Sequence, residues 1–206
     1  MKRIVCALLL LSLCLPFSLF AQDQSSGPYR HYEMGSQIFT FRAGVLVPTF
    51  FYRPNDEPPF LAFGQEMHMK VGGYGSIRYQ GFLSRTLALG GELGYIFAYD
   101  DGQDLYTSVP MQAKLTYIPL QGKFEIPLSL GLGFAYNSYA GENKPTYMSF
   151  LATAEAGFSW YFKEDWGITL SAGLQLIPEL YFDSHPIDST LAAFMPITLS
   201  ISYRSN

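Results

Sequence analysis

From Leu87 to Tyr99 the chain alternates two chemistries, residue by residue. Leu87, Leu89, Gly91, Leu93, Tyr95, Phe97 and Tyr99 form one phase; Ala88, Gly90, Glu92, Gly94, Ile96 and Ala98 form the other. Successive side chains of a β-strand point to opposite faces, so this period of two marks a strand that separates two environments. The pattern recurs along the chain. Residues 126–137 set Ile126, Leu128, Leu130, Leu132, Phe134 and Tyr136 against Pro127, Ser129, Gly131, Gly133, Ala135 and Asn137. Residues 150–162 and 168–179 repeat it, as does the end of the chain, where Ile197, Leu199, Ile201 and Tyr203 oppose Thr198, Ser200, Ser202 and Arg204. Weaker alternation over 38–50, 69–81 and 106–118 brings the predicted count to eight strands.

The two phases decide where the barrel sits. A soluble eight-stranded barrel would turn its large apolar phase inward and cover the outside with Lys and Glu. Here the second phase is mostly Gly, Ala, Ser and Thr with a few charges, which makes a poor water-facing surface. A narrow eight-stranded lumen takes such small side chains around a paired polar core. Lipid then takes the Leu, Ile, Val and aromatic phase, and closure satisfies every backbone group within hydrocarbon. The predicted fold is all-β, an eight-stranded antiparallel up-and-down transmembrane β-barrel. Composition agrees. Charged residues make up 15% and aromatics 17% of the chain, against roughly 25% charged in soluble domains, and no later segment approaches the ~20 apolar residues of a helical span.

The N-terminal segment predicts export. Lys2 and Arg3 precede the apolar run Ile4–Leu15, and Pro16–Ala21 ends on Leu19-Phe20-Ala21, the order of a cleaved signal peptide with its cut after Ala21. The run is short for a membrane anchor, and Leu13 stands before Cys14 where a lipoprotein signal wants a small residue. Residues 1–21 are thus read as signal peptide, 22–35 as a periplasmic tail and 36–206 as the barrel. Both cysteines, Cys6 and Cys14, fall inside the signal, so the mature chain has no disulfide or thiolate framework. Its 11 basic and 17 acidic residues give a net charge of −6, and without a basic patch nucleic-acid binding has no electrostatic support.

Connection lengths orient the barrel. Those at Phe82–Arg85, Leu120–Lys123 and Lys163–Asp165 are short, whereas Tyr52–Glu66, Tyr139–Thr146 and Asp183–Thr190 are longer and polar; Asp100–Asp104 is a short external turn. Short periplasmic turns and long external loops are the bacterial outer-membrane pattern, which with an even strand count puts both termini in the periplasm. Aromatics at the strand ends predict two interfacial girdles: Phe51, Tyr52, Tyr99, Tyr106, Tyr136, Tyr139, Tyr147, Tyr181 and Phe182 outside, and Phe39, Phe41, Tyr79, Phe82, Tyr117, Phe124, Trp160, Trp166 and Tyr203 inside. Pro110 and Pro127 cannot donate to a ladder and are assigned to strand ends or bulges.

In architecture the mature chain resembles the small eight-stranded outer-membrane proteins of the OmpX, OmpA transmembrane-domain and OmpW kinds. Its last strand, Ile197–Tyr203, looks like the signal read by the barrel-assembly machinery, except that Arg204-Ser205-Asn206 follow the terminal aromatic. The resemblance implies an integral outer-membrane protein whose partners are membrane lipid and that machinery.

The inward phase carries Arg42, Lys70, Arg78, Glu92, Lys114, Glu155 and Glu179. Eight strands leave little space inside, and buried charges are tolerated when paired. These residues are therefore read as an interior ion-pair network filling the lumen, with Glu92 and Glu155 paired to Arg42, Arg78 and Lys114. The resulting function is structural, or adhesive through surface loops, chiefly residues 52–66, where Pro54, Pro58, Pro59, Phe60, Leu61 and Phe63 are expected to meet an extracellular ligand. The alternative is an OmpW-like channel for small or hydrophobic solutes, with Leu46, Ile96 and Ile177 lining its upper part. Lipid-modifying enzymes on such barrels use His with Ser and an acid. The candidates here are His68, or His185 with Ser184, Ser189, Asp183 and Asp188, but none is held on a strand at suggestive spacing. No enzyme, cofactor or metal site is predicted; His31 lies in the tail, and Gly72-Gly73 and Gly90-Gly91 are strand glycines rather than a phosphate loop.

Overall fold

The structure, a computed structural model, describes residues 31–53, 60–63, 68–139, 146–179 and 190–205. Residues 1–30, which hold the expected signal peptide and most of the tail, lie outside them. Ten strands occur in the order β1 (Gln37–Arg53), β2 (Phe60–Phe63), β3 (Gly72–Phe82), β4 (Leu87–Tyr99), β5 (Leu105–Tyr117), β6 (Phe124–Glu125), β7 (Leu128–Tyr139), β8 (Tyr147–Tyr161), β9 (Trp166–Glu179) and β10 (Thr190–Ser205). Eight of them, all but β2 and β6, form an antiparallel ring that closes where β1 meets β10, from Gln37↔Ser205 to Tyr52↔Leu191. Among the described residues no helix occurs. The fold is an eight-stranded transmembrane β-barrel.

The alternation expected from the sequence sets the two surfaces. Along β4 every second residue from Ala88 to Ala98 faces inward, and Leu89, Leu93, Tyr95 and Phe97 stand exposed outside. The same division holds on β5, β7, β8 and β9, where Leu115, Leu130, Leu132, Phe158 and Leu170 cover the exterior. A closed barrel leaves no unpaired ladder, the condition for crossing hydrocarbon. Inward Gly90 lets two strands approach closely, because a Cβ there would lie 1.9 Å from the Tyr79 carbonyl oxygen.

Several elements differ from the sequence expectation. Pro110 sits in the middle of β5 rather than at an end, and the β4–β5 ladder skips it, running from Leu93↔Met111 to Ile96↔Ser108. Gly94 opposite provides the space, since a Cβ there would meet the Pro110 ring at 2.9 Å. Pro127 does mark a break: β6 and β7 hold one register against β8, with Ile126 and Pro127 between the two strands and the Pro127 carbonyl accepting from the Gly157 amide at 2.9 Å. The last strand begins at Thr190, not Ile197, because it continues to pair with the extended end of β1.

That extension contains a β-bulge. The β1–β10 register shifts between Pro48 and Phe50, and the intervening Thr49 donates its hydroxyl to the Ala193 carbonyl at 2.7 Å. One extra residue exchanges the two faces, so Phe51 turns inward and packs on the core instead of joining a girdle. Above the bulge β1 pairs with β2 from Phe50↔Phe63 to Arg53↔Phe60, a short hairpin on the long-loop rim. Tyr106 and Phe82, also assigned to the girdles, are buried inside, whereas Tyr99, Tyr136, Tyr79, Tyr117, Trp160, Trp166 and Tyr203 are exposed on the exterior. Tyr181 and Phe182 lie outside the described residues.

Candidate functional site

The lumen is the only place where the chain concentrates polar chemistry among the described residues, and it is filled at three levels. At mid-height, β1 contributes Arg42, β3 Arg78, β4 Glu92, β5 Lys114 and β8 Glu155, all on the inward phase. Glu92 accepts from Arg42 Nη1 at 2.9 Å and from Arg78 Nε at 2.6 Å, and it also accepts the hydroxyl of Tyr74. Glu155 Oε2 lies 2.9 Å from Arg42 Nη2, 2.9 Å from Arg78 Nη2 and 3.4 Å from Lys114 Nζ. Arg42 further donates to Ser171 and Thr198. Each carboxylate thus bridges several cations, the arrangement that makes buried charge tolerable.

Above this network, toward the long loops, the interior turns apolar. Leu46, Ile96, Leu151 and Ile177 pack with Tyr106 and Phe194 into one buried cluster. The Tyr106 and Phe194 rings stack with centroids 6.1 Å apart, and Phe51 meets Phe194 edge-on at 6.2 Å. The Tyr106 hydroxyl is satisfied by Asn137 Oδ1 at 2.8 Å.

At the short-turn rim a second apolar cluster, Tyr32, Ile38, Phe82, Ala88 and Ile118, closes the mouth. Tyr32 precedes the first strand yet is 1% exposed. A turn seats it there: Gly35 takes φ +95°, a conformation that favours glycine, and donates to the Phe82 carbonyl at 3.0 Å. The Tyr32 ring stacks on Phe82 at 3.9 Å. Its hydroxyl donates to Glu125 Oε2 at 2.9 Å and meets the Tyr161 hydroxyl at 3.1 Å. Arg204 completes the group by donating to Glu125 Oε1 at 3.0 Å.

Between the network and this basal cluster lies a partly open cavity of about 40 Å³. Its lining includes Arg42 and Arg78, Glu125 and Glu155, and a belt of hydroxyl residues including Thr40, Thr116, Ser159 and Ser202.

Of the seven residues expected in the lumen, the structure brings Arg42, Arg78, Glu92, Lys114 and Glu155 together. Lys70 is not among them. It is exposed, two residues ahead of β3, with its amide donating to the Tyr99 carbonyl at 2.8 Å; without a strand at that position nothing enforces the inward phase. Glu179 ends β9, and its side chain lies outside the described residues. Glu125 and Arg204 are lumen residues that the sequence reading passed over. Arg204 was already in the inward phase of the last strand, whereas the Pro127 break hid the parity of Glu125. Of the residues weighed for catalysis, His68 forms an exposed pair with Asp101 at 2.9 Å on the long-loop rim. Asp183, Ser184, His185, Asp188 and Ser189 lie outside the described residues, as do residues 54–59 and 64–66 of the proposed binding loop.

Fold and lumen together define the class: a small eight-stranded membrane barrel with a packed interior. A protein-family model matches residues 21–203, and the chain belongs to that family. It is 33% identical over 97 residues to an uncharacterized protein of Treponema pallidum (strain Nichols), a match covering 47% of this chain and 43% of that relative; the chain thus matches under half the length of that relative. It is 28% identical over 183 residues to an uncharacterized protein of Borreliella burgdorferi, covering 79% of this chain and 80% of the other. Two solved barrels share its fold. Neisserial surface protein A superimposes with a TM-score of 0.54 at 11% identity, over 82% of this chain and 96% of its own. The outer membrane protein OprG from Pseudomonas aeruginosa gives 0.53 at 12% identity, over 86% and 99%.

Proposed function

We propose that this chain is an integral outer-membrane protein with a non-conducting barrel, and that it acts as a structural element or through the rim that carries its long loops. One observation carries the reading: the lumen is filled at three successive levels, by an apolar cluster, a charge network and a basal aromatic–ion-pair cluster. Export by residues 1–21 fits the family match, which begins at residue 21. The last strand supports recognition by the barrel-assembly machinery, since Tyr203 points outward and packs against Trp166 at 5.1 Å. The β1–β2 hairpin supports a binding role, because Leu61 and Phe63 are exposed on it beyond the bulge. Passage of small or hydrophobic solutes would require a gap in the apolar cluster, where Tyr106 and Phe194 are stacked.

Planar-bilayer recordings on purified, folded protein test the closed lumen. No steady conductance is expected, and a reproducible open level would overturn it. Orientation is tested separately. With both native cysteines in the cleaved segment, Leu61→Cys introduces the one thiol of the mature chain. A membrane-impermeant maleimide should label it on intact cells and label Ser84→Cys only after the outer membrane is opened; the reverse pattern would invert the assigned topology.

A further inference from the structure

The mid-height network is not electrically balanced. It holds three cations, Arg42, Arg78 and Lys114, against two carboxylates, Glu92 and Glu155, and all five side chains are buried to within a tenth of full exposure. The remaining charged pair of the described lumen, Arg204 with Glu125, is self-compensating. Glu179 cannot supply the missing charge. It stands eight residues along β9 from Ser171, which touches Arg42, and at ~3.3 Å per residue that is roughly 26 Å away, beyond the apolar cluster. A buried surplus charge is costly unless something neutralises it.

Directly below the network is the partly open cavity of about 40 Å³, lined by two of the three cations, by Glu125 and Glu155, and by hydroxyl groups. One water needs roughly 10–15 Å³ of such space, so the cavity has room for a small ion with a water beside it. Its hydroxyls are free to turn donor side inward: Thr40 and Ser202 pair with each other, as do Thr116 with Ser129 and Ser159 with Thr169, each with either oxygen able to donate. The two carboxylate residues on the wall are already engaged, Glu155 by three cations and Glu125 by Arg204 and Tyr32.

We propose that this chamber is a structural binding site for one small monovalent anion of halide type, which balances the surplus positive charge of the Arg42–Arg78–Lys114 group. The site goes beyond the closed-barrel reading and rests on it, since water in a conducting lumen would solvate the surplus charge; conductance and halide dependence are measured separately, so the two readings can fail independently.

The experiment refolds the protein from urea into detergent micelles in sodium chloride, sodium bromide or sodium gluconate at one pH and ionic strength. Thermal unfolding is then followed as loss of the heat-modifiable gel band. A saturable rise in melting temperature with halide over gluconate is expected, and crystals grown in bromide should show one anomalous peak inside the chamber. Lys114→Met keeps the apolar stem and removes the surplus charge, so it should abolish the halide dependence. Thr116→Val and Ser202→Ala, which remove donors without touching an ion pair, should weaken it at least tenfold in halide concentration. Equal melting in all three salts, a halide effect unchanged in these variants, or a chamber without a bromide peak would overturn the proposal. So would a neutral Lys114 amine, observed by nitrogen NMR in the halide-free protein, because the surplus would then not exist.

Discussion

The guanidinium of Arg204 lies 4.0 Å from the ring centroid of Tyr161 and forms an ion pair with Glu125 at 3.0 Å. Arg204 belongs to the closing strand β10, Tyr161 to β8, and Glu125 to the segment just before β7, so this contact ties three separate parts of the short-turn rim together. Tyr32 enters the same group from ahead of β1, which extends the tie across the seam where the first and last strands meet.

Arg204→Ala should therefore destabilise the barrel by about 3–5 kcal/mol, because it leaves the Glu125 carboxylate buried without its cation. Tyr32→Phe keeps the stack on Phe82 but loses the hydroxyl's bond to Glu125, and should cost about 1–3 kcal/mol. Urea unfolding in micelles, read by tryptophan fluorescence and gel shift, checks both. Equal stability of Arg204→Ala and the parent would mean that the basal cluster does not hold the rim.

At mid-height, Glu92→Ala removes the shared acceptor of Arg42, Arg78 and Tyr74. It should cost about 3–5 kcal/mol by leaving buried guanidinium groups underpaired. Adding Arg78→Met should cost less than the sum of the single changes, with a coupling of about 0.5–3 kcal/mol between contacting residues. A double-mutant cycle from urea midpoints measures this, and strict additivity would deny that the pair acts as a unit.

Which of these features the sequence exposes follows from how each is enforced. Inside a strand parity is obligatory, so Arg42, Arg78, Glu92, Lys114 and Glu155 could be placed by counting in twos. Parity also argued for an inward Tyr106, in phase with Ser108 and Lys114; grouping it by nearness to a strand end lost that signal. Counting fails where a strand is absent, as at Lys70, or where a residue is inserted, as at Thr49, whose bulge turns Phe51 inward. Tyr32 carries no periodic signal at all. Its burial follows from a turn at Gly35 and the stack on Phe82, and both require the folded rim.

Gly90 and Gly91 adjoin on β4 but face opposite sides, and they should respond oppositely to the same change. A Cβ on Gly90 would fall 1.9 Å from the Tyr79 carbonyl oxygen, a backbone atom that no rotamer change can move. On Gly91 the nearest atom would be 4.0 Å away. Gly90→Ala should exceed the ~1–3 kcal/mol typical of overpacking and abolish the folded band, while Gly91→Ala should fold normally. A folded Gly90→Ala with unchanged stability would show that the β3–β4 approach is looser than described.

The outward phase gives the remaining test. Leu132, near the middle of β7, is 71% exposed. At such a position in a water-soluble protein an arginine would be close to neutral, since surface substitutions fall mostly within ~0.5 kcal/mol. Facing hydrocarbon, it must carry its charge into a medium that cannot solvate it, at a cost of about 2–4 kcal/mol near the bilayer midplane. Met34, on the short-turn rim, is 80% exposed and serves as the control, because Met34→Arg places the same charge in water. Folding equilibria of Leu132→Arg and Met34→Arg in phospholipid vesicles should therefore separate by that amount. Indistinguishable stabilities would mean that the apolar phase of β7 does not face lipid.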